Sequence, residues 1–302
     1  MRHRLTDGSA TDVIGWVESL DPSRVVVSDH DGVPVEVGRA EIVVARRAPA
    51  ARGGRDPRRT SAEELEQISV PGWAALREPL GEWTLRAGGG FTGRANSCLA
   101  VGDPGMAPDT AARRIEEFST EHGISPRAQV IAGSAPEEAL RRLGWRDVYV
   151  PTDVLVTRLA DLLGARLADG RVEVSDVLSR PWVAAYHRSR PNSVDPAVLR
   201  AILEGGPPRV FAGVAGPDGL SAIGRGHVAQ DWLGVASLWT APDVRRQGWA
   251  GRVMNALGHW AARLGARYVY LQVATENEPA HRAYERLGFT LHHSYLYLAP
   301  PD

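Results

Sequence analysis

A short segment rich in arginine and glycine near the C-terminus has the composition of a phosphate-binding turn. It reads Arg245-Arg246-Gln247-Gly248-Trp249-Ala250-Gly251 and stands between an apolar, strand-like run at 233–240 and a stretch with apolar residues at helical spacing. Glycine lets the backbone approach an anion closely, and the unpaired N–H groups of a first helical turn point toward it. The spacing therefore predicts a phosphate site, although two glycines by themselves would also suit a plain tight turn.

The elements that must position this turn can be predicted from hydrophobic periodicity. The helix after the turn ends at Gly265, and a second helix begins at Pro279. The predicted elements alternate between strands and helices, and in chain order they are a strand at 172–174, helices at 181–187 and 196–203, strands at 209–214, 221–228 and 233–240, a helix at 253–264, a strand at 268–273, a helix at 279–287 and a strand at 294–298.

In this order the segment resembles the GCN5-related N-acetyltransferase superfamily. That family's pyrophosphate loop reads Arg/Gln-x-x-Gly-x-Gly/Ala, and it is followed by a strand, an asparagine, a tyrosine and a Leu-Gly-Phe ending. The later landmarks are matched here by Asn277, Tyr284 and Leu287-Gly288-Phe289. The resemblance covers residues 172–298 and implies an α/β (α+β) fold with a mixed, mostly antiparallel sheet in which two strands splay apart.

The resemblance also implies acetyl-CoA as the co-substrate, no metal, and a role for each matching residue. Tyr284 would protonate the departing thiolate as general acid, with a core aromatic as the alternative. Asn277 would bind the pantetheine arm near the thioester, with a helix cap as the alternative. The other cofactor-binding residues would act mainly through their backbones, and they are Leu238, Trp239, Thr240, Arg245, Arg246, Gln247, Gly248, Trp249, Ala250 and Gly251.

A free amine must lose a proton before it attacks a thioester, so a general base is expected as well. Asp231, His227 and Glu276 lie on segments that could face the acceptor. A lone histidine or carboxylate is also common on an ordinary surface, and the sequence does not decide among the three.

The preceding segment repeats the same features in weaker form. Residues 121–159 and 263–298 share the order glycine, strand, proline-started helix, Leu-Gly-aromatic and strand, which predicts a tandem duplication. The first copy has Asp103, Pro104 and Pro108 where the phosphate turn would stand, and Leu140 where Tyr284 would stand. Because prolines lack an N–H and aspartate repels phosphate, we interpret residues 63–160 as a degenerate half without cofactor.

A glycine-rich stretch of the degenerate half, residues 88–97, contains Arg94 and Asn96. Glycine-rich stretches are common in flexible hairpins, which is one interpretation of this segment. The other is that Arg94 and Asn96 reach into the acceptor site of the C-terminal half, because ligand sites often form between two such halves.

The remaining sequence predicts the context of these two halves. Residues 1–47 alternate short apolar runs with turns such as His30-Asp31-Gly32, which is typical of a small SH3-like β-barrel, and residues 48–62 have the composition of a linker. The single cysteine, Cys98, is expected to be a buried apolar residue. A formal net charge of −1 favours neither nucleic acid nor membrane as a partner, and no signal or membrane-spanning segment is predicted. We therefore expect a cytoplasmic protein, either a monomer or a homodimer.

A barrel, a degenerate half at 63–160 and a catalytic half at 170–302 together look like a group of actinobacterial acetyltransferases, some of them assigned as N-acetylglutamate synthases. Acetylation of the amine of glutamate is therefore the leading prediction. A dicarboxylic acceptor needs permanent cations, and in a chain without lysine only arginine supplies them, which favours Arg94 as an acceptor ligand. The alternatives are acetylation of a cysteinyl amino sugar, as in mycothiol synthase, and a non-catalytic acyl-CoA-binding regulator.

Overall fold

The N-terminal part of the chain forms two small antiparallel sheets with their own valine-rich core. The computed structural model describes residues 1–28, 33–46, 56–73, 75–165, 171–190, 194–206 and 208–301. The predicted turn at 30–32, residue 47 and residues 48–55 of the predicted linker lie outside the described residues. The strands of this part are β1 (Arg2–Arg4), β2 (Ala10–Asp12), β3 (Trp16–Leu20), β4 (Arg24–Ser28), β5 (Pro34–Gly38) and β6 (Ile42–Val44).

The first half begins earlier than the predicted linker boundary. Asp56 caps a 3-10 turn over Pro57–Arg59 in which Pro57 is buried, so the end of the predicted linker already packs against the folded body. Cys98 is buried in the core of this half, as predicted, and burial raises the pKa of its thiol to about 12. The elements are α1 (Ala62–Ser69), β7 (Leu76–Leu80), β8 (Trp83–Ala87), β9 (Cys98–Ala100), α2 (Pro108–Glu121), β10 (Ala128–Ile131), α3 (Ala135–Arg142), β11 (Arg146–Asp147), β12 (Thr152–Arg158) and α4 (Leu159–Gly164).

The second half contains every helix and strand predicted between residues 172 and 298, with ends that shift by a few residues. The helices begin where the sequence offers a cap: Ser179 accepts the N–H of Trp182 at the start of α5, and Asp195 accepts that of Ala197 at the start of α6. The elements are β13 (Glu173–Ser175), α5 (Arg180–Ser189), α6 (Pro196–Glu204), β14 (Arg209–Gly216), β15 (Gly219–Ala229), β16 (Trp232–Thr240), α7 (Trp249–Arg263), β17 (Tyr268–Ala274), α8 (Glu278–Glu285) and β18 (Thr290–Ala299).

The two halves exchange strands within one sheet. In the described part of the chain, twelve strands join in the order β13-β14-β15-β16-β17-β12-β18-β10-β9-β8-β7, with β11 beside β18. Strand β12 of the first half lies between β17 and β18, because Val154 pairs with Gln272 on one side and with His293 on the other. Strand β18 in turn continues past β12 and pairs with β10. The sheet of the second half is therefore complete only with a strand from the first.

Helices cover both faces of this sheet. On β17, Val269, Leu271 and Val273 pack in the core beneath α7 and α4, whereas Tyr268 and Tyr270 pack on the opposite face against α1. Helices α5 and α6 cover that second face over β14 to β16. No helix in the described ranges is long and apolar enough to cross a membrane.

A buried polar network ties α1 to both halves. The carboxylate of Glu66 on α1 accepts a hydrogen bond from Nε2 of Gln129 at 2.6 Å and lies 3.0 Å from Nε2 of His293 on β18. Gln129 in turn accepts from the guanidinium of Arg86 at 2.8 Å. Since a half-satisfied buried network is costly, these matched partners fix α1 in one position on the second face.

Candidate active site

Strands β16 and β17 are paired at one end and part at the other. Their parallel pairing ends at Val235 and Leu271, although β16 continues to Thr240 and β17 to Ala274. The backbone edge of β16 over residues 236–240 that faces β17 therefore has no partner strand in the described structure. The predicted splay of these strands is confirmed, and we call the opening the fork.

A β-bulge in β16 explains the fork. The register between β15 and β16 shifts between Ile223 and Arg225, so that Ser237 and Leu238 of β16 together oppose Gly224. Ser237 adopts φ 54°, a left-handed conformation that a serine rarely takes in a strand. Because an extra residue bends the bulged strand, the end of β16 turns away from β17.

The predicted phosphate-binding turn lies at the open end of the fork. Gly248 is the N-cap of α7 with φ 80°, and Arg246 is also left-handed with φ 63°. The N–H of Arg252 donates the first hydrogen bond of the helix, to the carbonyl of Gly248 at 3.2 Å. The N–H groups of residues 249–251 precede that bond and have no partner within the helix, so they can meet an anion.

An arginine ties this turn to the end of the free strand edge. Nε of Arg245 donates to the carbonyl of Thr240 at 3.2 Å, and the side chain of Gln247 is exposed. A phosphate at the start of α7 would therefore lie directly beyond the part of β16 whose edge faces the fork.

Helix α8 begins just after β17 and carries Asn277 and Tyr284. Asn277 is the N-cap, and its Oδ1 accepts the N–H of Ala280 at 3.3 Å, which is the alternative role that the sequence left open. Its Nδ2 group has no hydrogen-bond partner among the described residues, so the same side chain can cap the helix and still donate to a ligand.

Tyr284 is half-buried, and its ring packs near Phe289 with a centroid distance of 6.0 Å. Burial raises the pKa of its phenol to about 12, and nearby Arg190 offsets part of that rise. At neutral pH the phenol is therefore protonated, so it can donate a proton. The site thus holds Tyr284 in the state that a general acid requires.

His227, one of the three candidate bases, does not suit that role. Its ring is buried, and Nε2 lies 2.9 Å from the hydroxyl of Tyr270. Burial, followed by the charge of Arg225, lowers the pKa of His227 to about 3. At neutral pH the ring is a weak proton acceptor, so His227 suits the role of general base less well than a histidine with an ordinary pKa would.

The other two candidates lie away from the closed end of the fork. Asp231 immediately precedes β16 at the opposite end of the sheet, where it lines a cavity of about 330 Å³ with Asp56 and Arg267. Glu276 is exposed in the turn between β17 and α8. Neither position brings a carboxylate to the point where β16 and β17 separate.

The corresponding turn of the first half is already filled by its own carboxylates. The side chain of Glu82 accepts the N–H of Asp103 at 2.6 Å, and the side chain of Asp103 accepts the N–H of Gly105 at 2.8 Å. Pro108 is the first residue of α2 and offers no N–H. A phosphate would meet two carboxylates here in place of free amides.

Arg94 and Asn96 have different surroundings from each other. Asn96 is buried, and its amide oxygen accepts the N–H groups of Gly88 and Gly90 while its nitrogen donates to carbonyls of the same loop. All of its hydrogen-bonding capacity is used, so Asn96 shapes the loop and the predicted contact with an acceptor does not fit. Nε of Arg94 donates to the hydroxyl of Tyr295 at 3.1 Å, and its guanidinium lies 5.5 Å from the ring centre of Trp73.

The loop that carries Arg94 packs against the second half. Phe91 lies in the core of α5 and α6, with its ring centroid 6.1 Å from that of Tyr186. Tyr295 pairs with Thr152, which in turn pairs with Ala274 at the end of β17. Arg94 therefore reaches the second face of the sheet beside the fork, opposite the face that carries α7.

Comparisons with known proteins agree with this geometry. A family model described as "Probable histone acetyltransferase Rv0428c C-terminal" matches residues 60–298, which is more than half of the chain. The chain belongs to this family of GCN5-related N-acetyltransferases. A second model, described as "Rv0428c N-terminal Sm-like domain", matches residues 1–46. The protein is thus an acyltransferase preceded by a small β-domain.

One curated relative is similar in sequence, and two solved structures share the fold. The acetyltransferase is 25% identical over 236 residues to "Uncharacterized N-acetyltransferase YobR" of Bacillus subtilis (strain 168), which covers 75% of this chain and 94% of that protein. A GCN5-related N-acetyltransferase from Kribbella flavida shares the fold with a TM-score of 0.56 at 19% identity, over 80% of this chain and 96% of that one. A functionally unknown conserved protein from Staphylococcus epidermidis ATCC 12228 also shares the fold, with a TM-score of 0.52 at 13% identity, over 75% of this chain and 93% of that one.

Two features of this acetyltransferase site were missed from sequence. Gln272 is the single amide side chain in a strand of otherwise aliphatic and aromatic residues from Tyr268 to Ala274, a signal that could have been noticed. Asp153 contacts His281 of α8 across the exchanged strand, and no sequence pattern indicates that pairing. Among the described residues, no cluster of three or more histidine, cysteine or acidic side chains could hold a metal ion.

Proposed function

We propose that this acetyltransferase uses acetyl-CoA to acetylate the primary amine of a small amino acid with an additional carboxylate, glutamate first. The observation that carries the acceptor class is the placement of Arg94. It extends from the first half to the second face of the sheet, which we call the acceptor face, and its two terminal nitrogens have no hydrogen-bond partner among the described residues. A guanidinium with free, parallel N–H groups suits a carboxylate.

The fork and the start of α7 support the acetyl-CoA part of the proposal. The pantetheine arm would pair with the free edge of β16 at Leu238, Trp239 and Thr240, in the manner of an added strand. The pyrophosphate would accept hydrogen bonds from the amides of residues 247–251. Asn277 would donate to the arm through its free Nδ2 group.

The chemical step would use the free edge of β16 and the phenol of Tyr284 on α8. Attack of the amine on the thioester carbonyl creates a negatively charged oxygen, which a backbone N–H of the free β16 edge can stabilise. The tetrahedral intermediate then expels the thiolate, and Tyr284 donates its phenolic proton to the sulfur. The raised pKa of Tyr284 keeps that proton in place until the thiolate forms.

The first half would then serve the acceptor. Its own turn is occupied by Glu82 and Asp103, which argues against a second cofactor site. It supplies β12 to the sheet and Arg94 to the acceptor face. In this way the first half would contribute to the active site although it has no phosphate-binding turn of its own.

The test is release of free thiol from acetyl-CoA with a panel of acceptors, namely glutamate, aspartate, glutamine, a cysteinyl amino sugar and a lysine-rich peptide, since the family description names histones. We expect glutamate to have the highest kcat/KM. Arg94→Ala should raise KM for glutamate without changing the affinity for acetyl-CoA, and the loss of binding free energy should be about 2 to 5 kcal/mol if the charge pair is desolvated. Arg113→Ala, on the exposed side of α2, is the matched control.

Each other result contradicts the proposal in a defined way. A preference for the cysteinyl amino sugar would favour the mycothiol-synthase-like alternative, and a preference for the peptide would favour a protein substrate. Tight binding of acetyl-CoA without turnover of any amine would favour a regulator. Unchanged glutamate kinetics in Arg94→Ala would remove Arg94 from the acceptor site.

A further inference from the structure

A cavity of about 330 Å³ lies where β16 and β17 begin, at the end of the sheet opposite to the fork. One wall is formed by the turn between β15 and β16 together with the start of β17. The other wall is formed by the 3-10 turn before α1 and the first turn of α1. Small-molecule sites have volumes of about 300 to 1,000 Å³, so this cavity is large enough for a small ligand.

Backbone and side-chain hydrogen bonds hold both walls in place. The carbonyl of Asp231 accepts the N–H groups of Arg267 and Tyr268 at 2.7 and 3.1 Å, which fixes the turn against the start of β17. On the other wall, the guanidinium of Arg58 donates to the carboxylate of Asp56 at 2.6 Å, which fixes the 3-10 turn. The first wall belongs to the second half and the other wall to the first half. The cavity is therefore a formed part of the junction between the halves.

Two buried aromatic residues line the cavity and carry polar atoms without a partner. Trp232 is 2% exposed and Tyr268 is 9% exposed, and their ring centres lie 4.9 Å apart across β16 and β17. Neither the indole N–H of Trp232 nor the hydroxyl of Tyr268 has a hydrogen-bond partner in the described part of the chain. Unlike Nη1 of Arg225, neither atom is sealed from solvent. Since a buried tryptophan or tyrosine usually finds a partner for its polar atom, these two groups favour a ligand in the space that their residues line.

Charged side chains of both signs line the same cavity. Arg59 and Arg267 supply guanidinium groups, and Glu64 and Asp231 supply carboxylates. Within the described ranges, none of these four side chains takes part in an ion pair or a hydrogen bond. Opposite charges that share one small cavity without pairing can be bridged by a ligand that itself carries both charges.

We propose that this cavity binds a small zwitterion, a molecule with one ammonium and one carboxylate group such as a free α-amino acid. The carboxylate accepts hydrogen bonds from Arg59, Arg267 and the indole N–H of Trp232. The ammonium group donates to the carboxylates of Glu64 and Asp231. A ligand with a single charge leaves one of these two sets unmatched, so the site selects for the zwitterion.

This site is separate from the acceptor site and does not depend on the proposed function. The fork lies at the other ends of β16 and β17, and Arg94 is not part of the cavity wall. Because the walls come from different halves, a bound zwitterion joins the first half to the second at the start of the strands that form the fork.

The first experiment tests the class of ligand by calorimetry, with the full chain in the absence of acetyl-CoA. The probes are alanine, leucine and glutamine, which differ in size and share an uncharged side chain. We expect at least one of them to bind, and its amide and N-acetyl forms to bind about tenfold or more weakly, because each form lacks one charge-assisted set of hydrogen bonds. The proposal is overturned if none of the three binds at millimolar concentrations, or if the singly charged forms bind equally well.

The second experiment places the ligand in the cavity. Arg267→Gln should weaken binding of the zwitterion about tenfold and that of its amide much less, because the amide has no carboxylate for Arg267 to hold. Asp231→Asn should weaken binding of the zwitterion and spare the N-acetyl form, which has no ammonium group. Arg263→Gln is the matched control, since Arg263 is exposed in the last turn of α7 and outside the cavity wall.

Arg94→Ala separates this cavity from the acceptor site. We expect that variant to bind the zwitterion as the wild type does. A loss of binding in Arg94→Ala, with unchanged binding in Arg267→Gln and Asp231→Asn, would assign the zwitterion to the acceptor site and overturn the proposal. Unchanged binding in all three variants would place the ligand elsewhere and overturn it as well.

Discussion

The carboxylate of Asp153, on the strand that the first half contributes, lies 3.5 Å from Nε2 of His281 on α8. The other oxygen of Asp153 accepts the hydroxyl of Ser294 at 2.5 Å, and His281 also contacts the carbonyl of Ala274. His281 stands between Asn277 and Tyr284 at helical spacings of four and three, so all three residues share one side of the helix. Asp153 therefore holds the helix that carries the proposed general acid.

We expect Asp153→Ala to lower kcat by roughly ten- to hundredfold, because a small misplacement of a catalytic group is costly. KM for the acceptor should change much less. Asp109→Ala, an exposed carboxylate on α2, is the control. A lower melting temperature with an unchanged kcat would show that Asp153 stabilises the fold without positioning Tyr284.

Gly248→Val should abolish acetyl-CoA binding and leave the protein folded. A β-branched residue strains the backbone at φ 80°, yet a Cβ there meets no atom within 4 Å. Gly265→Val is a matched control, since Gly265 has φ 82°, equally open surroundings and a place at the far end of α7. Calorimetry that shows equal affinity in both variants would remove the phosphate role of the turn.

Tyr284→Phe should keep its affinity for acetyl-CoA and lose roughly 10²- to 10⁴-fold in turnover, the range for a lost general acid. Because the pKa of Tyr284 is raised to about 12, the wild-type rate should show no decline from its ionisation at pH 10 or below. Tyr149→Phe, at an exposed site, is the control. A normal single-turnover rate in Tyr284→Phe would leave the residue with a packing role.

His227 should make the fold sensitive to acid. Its pKa is lowered from 6.5 to about 3 by burial and by Arg225. Between these two pH values the histidine is protonated in the unfolded chain and neutral in the native protein. Stability from this group is complete above pH 6.5 and falls as the pH drops toward 3, by up to about 1.4 kcal/mol per unit. Denaturant unfolding at pH 7 and pH 4.5 measures the effect.

A His227→Gln variant should lose less stability over that pH interval than the wild type, because glutamine does not titrate. His122→Gln removes an exposed histidine and should behave like the wild type. Parallel pH dependences in the wild type and His227→Gln would show that other groups cause the acid lability.

The sequence by itself determined the local structure of the site. The C-terminal end of α7 follows from apolar spacing and Gly265, although the helix starts four residues before the predicted position, and Gly248 adopts the left-handed conformation that makes the turn possible. The first-half turn was also predictable, since Asp103 and Pro108 change its chemistry without any reference to distant residues. These features depend on a few consecutive residues, so one sequence is enough to find them.

Only the tertiary structure decided which residues meet. The repeat placed β12 with the first half, but pairing of Val154 with Gln272 inserts it into the second, because strand pairing depends on edges that close only when the whole sheet forms. The sequence left His227 as one of three candidate bases, and its burial against Tyr270 lowers its pKa, which is a property of the packed protein. Tyr295, which accepts from Arg94, and His281, which contacts Asp153, lie more than a hundred residues away from them in the chain, where local propensity carries no information.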